Sequence, residues 1–423
     1  MSAGGIYDAS GKDPLVFDLG SHSIRFGFCD RNSPHSDIPA VVGTLLDGTE
    51  STERRTDRIK ESLTYYANTN TLCVPREGME LKNIMFNGLI DDWDAFEYLM
   101  DYAYSKCLFT DPQLHPVVFT ESPLNTKQKR ERLTELMFEK YNVPGIMVCK
   151  NAAAAAFSCT ISTGIIVDSG ATHTSAIPIY KGYVISHAIV STPMAGNFIL
   201  KKCQQHFYNN EIDVIPNYLV ANKQQVKPKI APIWSRKNML PKVTDTWHNY
   251  MCKSVLEDFQ HTVLEVAEDP LDNAKLYNLP TCHYEFPNGY NQEFGDERFK
   301  IPELLFHSDI KKNNVFGLSE IVHLCIKMCS KHMRNELYDN IVLTGGNSLI
   351  KGFPRRLHRD ISMKLKCTRL KLTAPINSTA RRFGAWIGGS LLATGDKFDD
   401  LWFSSSEYYD RGTDKIKLNH RYI

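Results

Sequence analysis

Short apolar runs that end on an aspartate and then a glycine recur along this chain. The stretch Gly164–Ile179 reads GIIVDSGATHTSAIPI: a β-branched apolar run, then Asp168, then Ser169-Gly170, then further apolar positions. Because β-branched residues favour strands, this pattern predicts a buried strand, a turn and a second strand. The free backbone N–H groups of such a turn can bind phosphate. A carboxylate at the strand end can hold a hydrated Mg²⁺ next to that phosphate.

The same pattern occurs near the start of the chain. Leu15–Leu19 reads LVFDL, and it is followed by Gly20-Ser21 and by the strand-like Ile24–Phe28. A single Asp-x-Gly turn matches many ordinary hairpins. Two such units, each after one apolar strand and before another, indicate two related half-domains that close on one nucleotide.

A third glycine element has a different form. Residues 340–350 read NIVLTGGNSLI, which predicts a strand, a double glycine and a helix. Gly345-Gly346 has no Cβ atoms, so a flat ring or a ribose can lie directly against the backbone. Asn347 would then stand near a helix start, where it can cap the helix or contact a ligand. The alternative is a tight strand-to-helix turn that binds nothing.

The remaining periodicity predicts ordinary elements. We expect a strand meander over residues 15–45, a strand at 115–121, a hairpin at 284–294 and helices at 93–105, 127–141, 151–157, 247–266 and 381–393. The alanine-rich helix at 151–157 has side chains small enough for very close packing. Residues 47–62 are polar and predict a mobile surface loop, and the basic, proline-containing segment 222–243 predicts an irregular insertion.

Composition narrows the class of protein only slightly. The 423 residues carry a formal net charge of +1, so no overall field attracts nucleic acid or membrane. No apolar run approaches the roughly 20 residues that span a bilayer, and the first residues lack the features of a signal peptide. The eleven cysteines are scattered singly, which favours a reducing compartment, cytosol or nucleus.

Taken in order, these motifs resemble the actin superfamily nearly from end to end. The most specific segments are VDSGATHT (167–174), RLTELMFEKYNVP (132–144), EFPNGYN (285–291) with GDERFKIPELLF (295–306), and RRFGAWIGGSLLA (381–393). WHNYMC (247–252) is similar to the nuclear actin-related protein 4 class, which supplies the actin-like subunit of SWI/SNF (BAF) remodellers and histone-acetyltransferase complexes. The resemblance implies an α/β fold of two lobes, shared with hexokinase and heat-shock chaperones, with a nucleotide cleft between the lobes.

The resemblance also implies a division of the chain into lobes and peripheral subdomains. It assigns residues 1–39, 84–158 and 384–423 to the base of the first lobe, 40–83 to a small peripheral subdomain with a mobile polar loop, 159–194 and 306–383 to the base of the second lobe, and 195–305 to a second peripheral subdomain with an insertion near 222–242.

ATP and Mg²⁺ are the cofactors that the resemblance implies. Asp18 and Asp168 would hold the Mg²⁺ through water, and the remaining ligand contacts fall into two phosphate loops and a nucleoside pocket. The first loop is Gly20, Ser21, His22, Ser23 and Arg25; the second is Ser169, Gly170, Ala171 and Thr172; the pocket is Gly196, Gly345, Gly346, Asn347 and Arg382.

Several positions depart from the family pattern and weaken the case for catalysis. The family positions the hydrolytic water with a glutamine and a histidine. Counting from Asp168, Asn151 stands at the glutamine position and Ser175 at the histidine position, and His173 lies two residues before Ser175. Ala171 stands where the family has a carboxylate. A misplacement of about 1 Å can cost on the order of a hundredfold in rate. We therefore expect ATP binding with slow or absent hydrolysis and assign no catalytic residue.

The expected function is that of a nuclear interaction subunit. An actin monomer and the helical segment of a remodelling ATPase are the implied partners, with other chromatin-complex subunits. The helix would lie in a cleft lined by Phe157, Leu392 and Leu401, although these residues fit a simple core equally well. The basic segment 222–242 is a candidate contact for histone or DNA, and no membrane partner is expected.

Two other functions stay open at this point. A phosphotransferase or ATPase of the sugar-kinase type would need a catalytic aspartate near the γ-phosphate, and none can be placed. A filament-forming cytoskeletal protein would need an apolar plug after residue 306, where the chain instead reads HSDIKKNN (307–314). Burying the two lysines of that segment unpaired would be costly, and the matching loop 47–62 is also charged, so filaments are not expected.

Overall fold

The structure is a computed structural model, and it describes residues 13–29, 31–46, 63–271, 279–307, 315–365, 370–395 and 401–412. Two predictions rest on residues outside these ranges. The mobile loop is predicted at 47–62, and the expectation of no filaments rests on that segment and on residues 308–314. Among the described residues, every helix is too short or too polar to span a bilayer.

The strands are mostly short. They are β1 Leu15–Leu19, β2 Ser23–Phe28, β3 Ser36–Pro39, β4 Val41–Leu46, β5 Leu63–Tyr66, β6 Glu80–Asn83, β7 Met85–Phe86, β8 Leu89–Ile90, β9 Val117–Glu121, β10 Gly145–Lys150, β11 Gly164–Ser169, β12 Thr174–Tyr180, β13 Tyr183–Val184, β14 Val190–Thr192, β15 Val220–Lys223, β16 Trp234–Arg236, β17 Cys282–Glu285, β18 Asn291–Phe294, β19 Ile341–Thr344, β20 Leu372–Thr373 and β21 Phe403–Ser404.

The α-helices alternate with these strands. They are α1 Thr69–Leu72, α2 Trp93–Tyr102, α3 Lys127–Glu135, α4 Asn151–Ser158, α5 Gly196–Asn209, α6 Asp245–Val263, α7 Glu297–Glu303, α8 Leu318–Met328, α9 Arg334–Asp339, α10 Phe353–Leu365, α11 Ser378–Arg382, α12 Gly384–Thr394 and α13 Ser405–Arg411. π-Helical turns, Ala103–Leu108 and Leu136–Lys140, continue α2 and α3.

Two sheets with the same local pattern form the bases of two lobes. In the first sheet the order is β21-β10-β9-β1-β2-β3, and in the second β13-β12-β11-β19-β20, with β14 beside β12. In each, an antiparallel hairpin (β1–β2 or β11–β12) has its first strand paired in parallel with a later strand (β9 or β19). The two predicted aspartate hairpins therefore occupy corresponding places in the two sheets.

Helix α4 lies between the lobes and packs closely because its side chains are small. Ala152, Ala153, Ala155 and Ala156 cluster with the second sheet, whereas Ala154 belongs to the first-lobe cluster that contains Trp386 of α12. This confirms the expectation of very close packing for the alanine run. A Cβ placed on Gly388 of α12 would lie 1.7 Å from the carbonyl oxygen of Ala154, so the α4–α12 contact requires glycine there.

Most elements follow the sequence pattern, and three predictions need correction. The helix predicted at 381–393 is interrupted at Phe383, which separates α11 from α12. After the double glycine a short 3₁₀ turn, Gly346–Leu349, precedes α10, so the predicted helix starts later. The segment 222–243 is not wholly irregular, because β15 and β16 form a small hairpin across part of it.

Candidate functional site

The first aspartate hairpin ends in a network of fixed charges. Asp18 lies on β1, opposite Arg25 on β2 and Thr120 on β9. Arg25 Nη1 donates to Asp18 Oδ2 at 2.7 Å, and the Thr120 hydroxyl donates to Asp18 Oδ1 at 2.5 Å. Although burial alone would lower it, the carboxylates of Asp18 and Asp37 raise the pKa of Arg25. The carboxylate of Asp18 is thus held in one orientation by two donors.

The second aspartate hairpin places its carboxylate in a less compensated environment. Asp168 lies beside Thr344 of β19 in the parallel register, and Asn151 Nδ2 donates to Asp168 Oδ2 at 3.1 Å. Burial raises the pKa of Asp168; the nearby charge of Asp18 adds to this rise and His173 opposes it. Both carboxylates line the same cavity, where a divalent cation between them would compensate their negative charges.

Asn151 provides an independent test of whether a hydrated cation fits this site. Its Oδ1 atom is buried and has no hydrogen-bond partner within the described ranges, and the residue lines the cavity between the lobes. A buried acceptor without a donor is costly, and water around a cation would supply that donor. Together with the carboxylates of Asp18 and Asp168, Asn151 Oδ1 provides oxygen ligands, which Mg²⁺ prefers. The residues fit Mg²⁺ held through water.

A cage made of protein ligands alone is not available for the cation. Across the described residues, no group of three or more His, Cys, Asp or Glu side chains could hold a metal ion. Mg²⁺ usually keeps several waters and binds one or two carboxylates together with substrate phosphates. The pair of aspartates is the arrangement expected for a cation that arrives with a nucleotide.

The two predicted phosphate loops meet across the cleft. Ser21 Oγ of the first loop lies 3.3 Å from Thr172 Oγ1 of the second. The backbone N–H of Gly88 donates to Ser21 Oγ at 2.8 Å, and Thr172 Oγ1 lies 3.1 Å from His173 Nδ1. Hydroxyl groups from both lobes thus converge beside the aspartates, where a polyphosphate would need donors.

The double glycine has two distinct roles. Gly345 has φ +92°, and a Cβ on it would lie 2.3 Å from the Ser169 carbonyl oxygen, so the backbone excludes any other residue there. Asn347 Nδ2 donates to Ser169 Oγ at 3.0 Å, which fastens this turn to β11. A Cβ on Gly346 would meet no atom within 4 Å. Gly346 therefore leaves open space in the cavity, as contact with a flat ring or a ribose requires.

A cavity of about 400 Å³ lies between the two lobes, and most of the predicted site residues line it. This volume is in the range of small-molecule sites. The predicted residues that line it are Asp18, Gly20, Ser21, His22, Arg25, Asp168, Gly170, Ala171, Thr172, Gly196, Gly345, Gly346, Asn347 and Arg382.

Two predicted ligand contacts do not line the cavity. Ser23 is buried within β2, where its hydroxyl accepts a hydrogen bond from Arg25 Nη2 at 3.2 Å. Ser169 is fully buried at the end of β11, and its Oγ lies 2.8 Å from Thr174 Oγ1. Ser23 therefore supports the site through Arg25. Side chains alternate between the two faces of a strand, so Ser169 lies on the opposite face from Asp168.

One protein family matches almost the whole chain. A family model described as Actin matches residues 10–421 of the chain. The chain belongs to the actin family. It is 30% identical to actin-related protein 4 of Arabidopsis thaliana, over 97% of this chain and 99% of that protein. It is also 30% identical to the SWI/SNF and RSC complexes subunit arp42 of Schizosaccharomyces pombe, over 95% of this chain and 96% of that protein.

A further relative, actin-related protein 4 of Yarrowia lipolytica, is 28% identical over 99% of this chain and 98% of that protein. The predicted resemblance to the actin superfamily and to its actin-related protein 4 class is confirmed, and so is the two-lobed α/β actin fold. The bounds of the lobes and subdomains stay a prediction.

Within the actin fold, α6 adds cavity residues that sequence reasoning missed. Glu257, Gln260 and His261 line the cavity. Their spacing of three and four residues marks one helical face, but a solvated face has the same spacing. The His22 Nδ1 atom lies 3.5 Å from Glu257 Oε1 across the cleft, and Gln260 Nε2 donates to Asn347 Oδ1 at 3.5 Å. Only the tertiary packing reveals that this face meets the cleft.

The structure separates the two positions considered for the family's histidine, Ser175 and His173. Ser175 is buried in β12, paired in register with Asp168, and does not line the cavity. His173 does line it, with its ring next to Gly88. The turn after Asp168 is short, so the residue that reaches the cleft comes two positions earlier than an ungapped count predicts.

The residues predicted to line a partner cleft belong largely to the core. Leu392 and Leu401 are 4% and 7% exposed and lie in one cluster with Trp386 and Trp402, and Phe157 is partly buried against it. Both leucines are therefore core residues, as the alternative interpretation predicted. Of the three predicted residues, only Phe157 is partly exposed.

Proposed function

We propose that the cleft binds Mg²⁺–ATP and retains it as a structural ligand. The observation that supports this most strongly is the pair of hairpins that brings Asp18 and Asp168 to the same cavity as the buried Oδ1 of Asn151, which has no hydrogen-bond partner among the described residues. Asp18 and Asp168 would hold the hydrated cation, which supplies charge neutralisation for the phosphates. A ligand that binds only the folded state stabilises that state as its concentration exceeds Kd.

We further propose that hydrolysis is slow or absent and that the protein is not an enzyme. The Asn151 amide is one methylene shorter than the family's glutamine, and it already donates to Asp168. His173 Nδ1 lies 3.1 Å from a neighbouring hydroxyl, and Ala171 contributes no carboxylate. A single-turnover assay with Mg²⁺–ATP would contradict this proposal if it gave phosphate at the rate of conventional actin.

The biological role we propose is that of a nuclear subunit of chromatin complexes. It is supported by relatives along nearly the whole chain that are named actin-related protein 4, and by one named as a subunit of the SWI/SNF and RSC complexes. An actin monomer and a helical segment of a remodelling ATPase are the proposed partners, and transcription regulation is the process. Affinity purification from nuclear extract, with mass spectrometry, tests this. Recovery without any chromatin-complex subunit would contradict it.

A basic surface on the second lobe is proposed as a contact for the DNA of chromatin. The segment 222–243 contains six lysines and arginines and no acidic residue. Lys229 N donates to the Asn291 carbonyl oxygen at 2.9 Å, which anchors the segment on the β17–β18 hairpin. Such a surface attracts phosphate and repels basic histone tails. Charge reversal at Lys227 and Lys237 should weaken binding to a DNA duplex. If the charge-reversed variant still binds DNA as the unaltered chain does, and salt does not weaken that binding, this contact is wrong.

Filament formation is not part of the proposed function. Sedimentation at micromolar concentration with ATP and Mg²⁺ tests this, since the charged segments 47–62 and 307–314 stand where the family makes its filament contacts. We expect the chain to stay in the supernatant while conventional actin pellets in the same tube. Robust pelleting of the chain would contradict the proposal.

A further inference from the structure

The peripheral parts of the two lobes are joined by an apolar cluster, which we call the latch: Met79, Tyr218, Leu219, Trp247 and Met251. Met79 lies between α1 and β6 on the first lobe, and the other four lie on or before α6 on the second lobe. All five side chains are buried. The cluster is separate from the cores of both lobes, so its burial depends on the lobes lying together.

Trp247 is the centre of the latch. Its side chain has no exposed surface, and its indole Nε1 donates to the carbonyl oxygen of Leu72 on the first lobe at 2.7 Å. The ring packs edge-to-face against Tyr218, with 4.6 Å between ring centroids. Aromatic residues bury large areas and such pairs add further stabilisation. Separating the lobes would expose this indole and leave its donor and the carbonyl unpaired.

Hydrogen bonds at the first turn of α6 reinforce the contact. Thr244 caps the helix by accepting from the Trp247 backbone N–H, and its hydroxyl donates to the Met79 carbonyl oxygen at 2.6 Å. Thr246 Oγ1 accepts from the backbone N–H of Leu81 at 3.0 Å. The same residues that start the helix therefore bind the opposite lobe, so the orientation of α6 depends on the lobes being closed.

Helix α6 connects the latch directly to the candidate nucleotide site. Its first turn carries Trp247, and its later turns carry Glu257, Gln260 and His261, which line the cavity. Ten residues of α-helix span roughly 15 Å. A continuous helix transmits a displacement of one end to the other. Movement of the latch must therefore move this wall of the cavity.

We propose that the latch holds the cleft closed and sets the rate at which bound nucleotide escapes. The inference rests on the proposed nucleotide binding and assigns its regulation to residues outside the cavity. A nucleotide seated between the lobes contacts both, so its release requires them to separate, and separation first requires breaking the latch. Nucleotide exchange should therefore be slow in the intact chain and fast in chains with a weakened latch.

Release of a fluorescent ATP analogue, chased with excess unlabelled ATP, tests this in the full chain with Mg²⁺. We expect Trp247→Phe, which removes the indole donor and part of the buried ring, to accelerate release several-fold, and Trp247→Ala to accelerate it about tenfold or more. Trp386→Phe is the matched control, because Trp386 is also fully buried and donates to a backbone carbonyl, that of Val16, at 3.2 Å within the first lobe. Its release rate should equal that of the unaltered chain.

Equal release rates in the unaltered chain and both Trp247 variants would overturn the proposal. Thr246→Val provides a milder variant should Trp247→Ala fail to fold, and it should also accelerate release. If the unaltered chain retains no analogue at all, the proposed function fails. In that case, hydrogen exchange of the Leu81 amide, which donates to Thr246, still reports whether the latch closes the lobes.

Discussion

At the scale of the residue, the site depends on a backbone conformation that only glycine adopts without strain. Gly345 has φ +92°, and a Cβ there would lie 2.6 Å from Asp168 Oδ1 as well as against the backbone of β11. Its neighbour Gly346 has no such constraint. The pair therefore allows the fold and the ligand contact to be tested separately, by the same glycine-to-alanine change at adjacent positions.

We predict that Gly345→Ala destabilises the protein by about 1–3 kcal/mol, because it strains the backbone and displaces Asp168. Gly346→Ala should leave the melting temperature without nucleotide unchanged, because the added methyl meets open space, and should reduce the rise in melting temperature that Mg²⁺–ATP produces. Thermal unfolding with and without Mg²⁺–ATP measures both. Full stabilisation of Gly346→Ala by Mg²⁺–ATP would show that the nucleotide does not lie against this glycine.

The aspartates and glycines of the site could be predicted from the sequence because their constraints are local. An apolar strand that ends in Asp-x-Gly already specifies a carboxylate at a strand end, so Asp18 and Asp168 could be found without a structure. Glu257 could not be found in this way, and His173 could be named but not chosen over Ser175. The first faces the cleft only because α6 crosses from the latch to the cavity, and the second reaches it only because its turn is short.

At the scale of the element, one buried ion network joins β9, α3 and β10 beneath the cleft. Glu121 accepts from Lys150 Nζ at 2.6 Å and from Arg130 Nε at 3.0 Å, and all three side chains are nearly buried. Although burial alone would raise it, Arg130 and Lys150 lower the pKa of Glu121 below its usual value of 4.5. Because Lys150 immediately precedes α4, this network fixes the start of the helix between the lobes.

We predict that Glu121→Gln costs about 3–5 kcal/mol at neutral pH, because it leaves buried cations without a counter-charge. The folded-state pKa of Glu121 is depressed, so its contribution is complete above pH 4.5 and is lost as pH falls through that lower pKa. The stability gap between the unaltered chain and the variant should therefore narrow below pH 4.5. Glu97→Gln, at an exposed ion pair with Lys140, should cost less than about 1 kcal/mol and serves as the control. A difference in unfolding free energy between the unaltered chain and Glu121→Gln that does not change with pH would contradict the network.

We predict that Gly388→Ala destabilises the protein by more than about 2 kcal/mol, although alanine favours helices by about 1 kcal/mol over glycine. The new methyl would overlap the Ala154 carbonyl of α4, which backbone cannot avoid without separating the helices. Gly389→Ala is the matched change, because its Cβ would meet the side chain of Val16 at 3.1 Å, and it should cost much less. Equal denaturation midpoints for the two variants would refute the close α4–α12 contact.

The existence of most elements followed from sequence, whereas their ends and interruptions did not. The hairpin at 284–294 has a strong local turn signal and is confirmed. The break at Phe383 has only a weak local signal, Gly384, because a single glycine inside a helical pattern is often tolerated. The break separates α11 from α12. The carbonyl oxygen of Arg381 in α11 accepts a hydrogen bond from Gly345 N at 3.1 Å, whereas α12 packs in the first-lobe core. Tertiary contacts on both sides impose that break.

At the scale of the whole molecule, the chain is two lobes built on one repeated pattern and held together at both ends of the cleft. Helix α4, whose alanines pack on the second sheet, joins them on one side, and the latch around Trp247 joins them on the other. The repeated aspartate hairpins made the two lobes predictable from sequence. The latch was not predictable, because its members come from segments more than one hundred residues apart and meet only after the lobes have closed.

A protein closed in this way is suited to keep a nucleotide and present a fixed surface to partners. The most direct test incubates the chain with Mg²⁺ and γ-labelled ATP, removes free nucleotide, and analyses the bound nucleotide over several hours. The account predicts about one nucleotide per chain that remains ATP throughout. Absence of bound nucleotide, or its prompt conversion to ADP with release of the label, would contradict it.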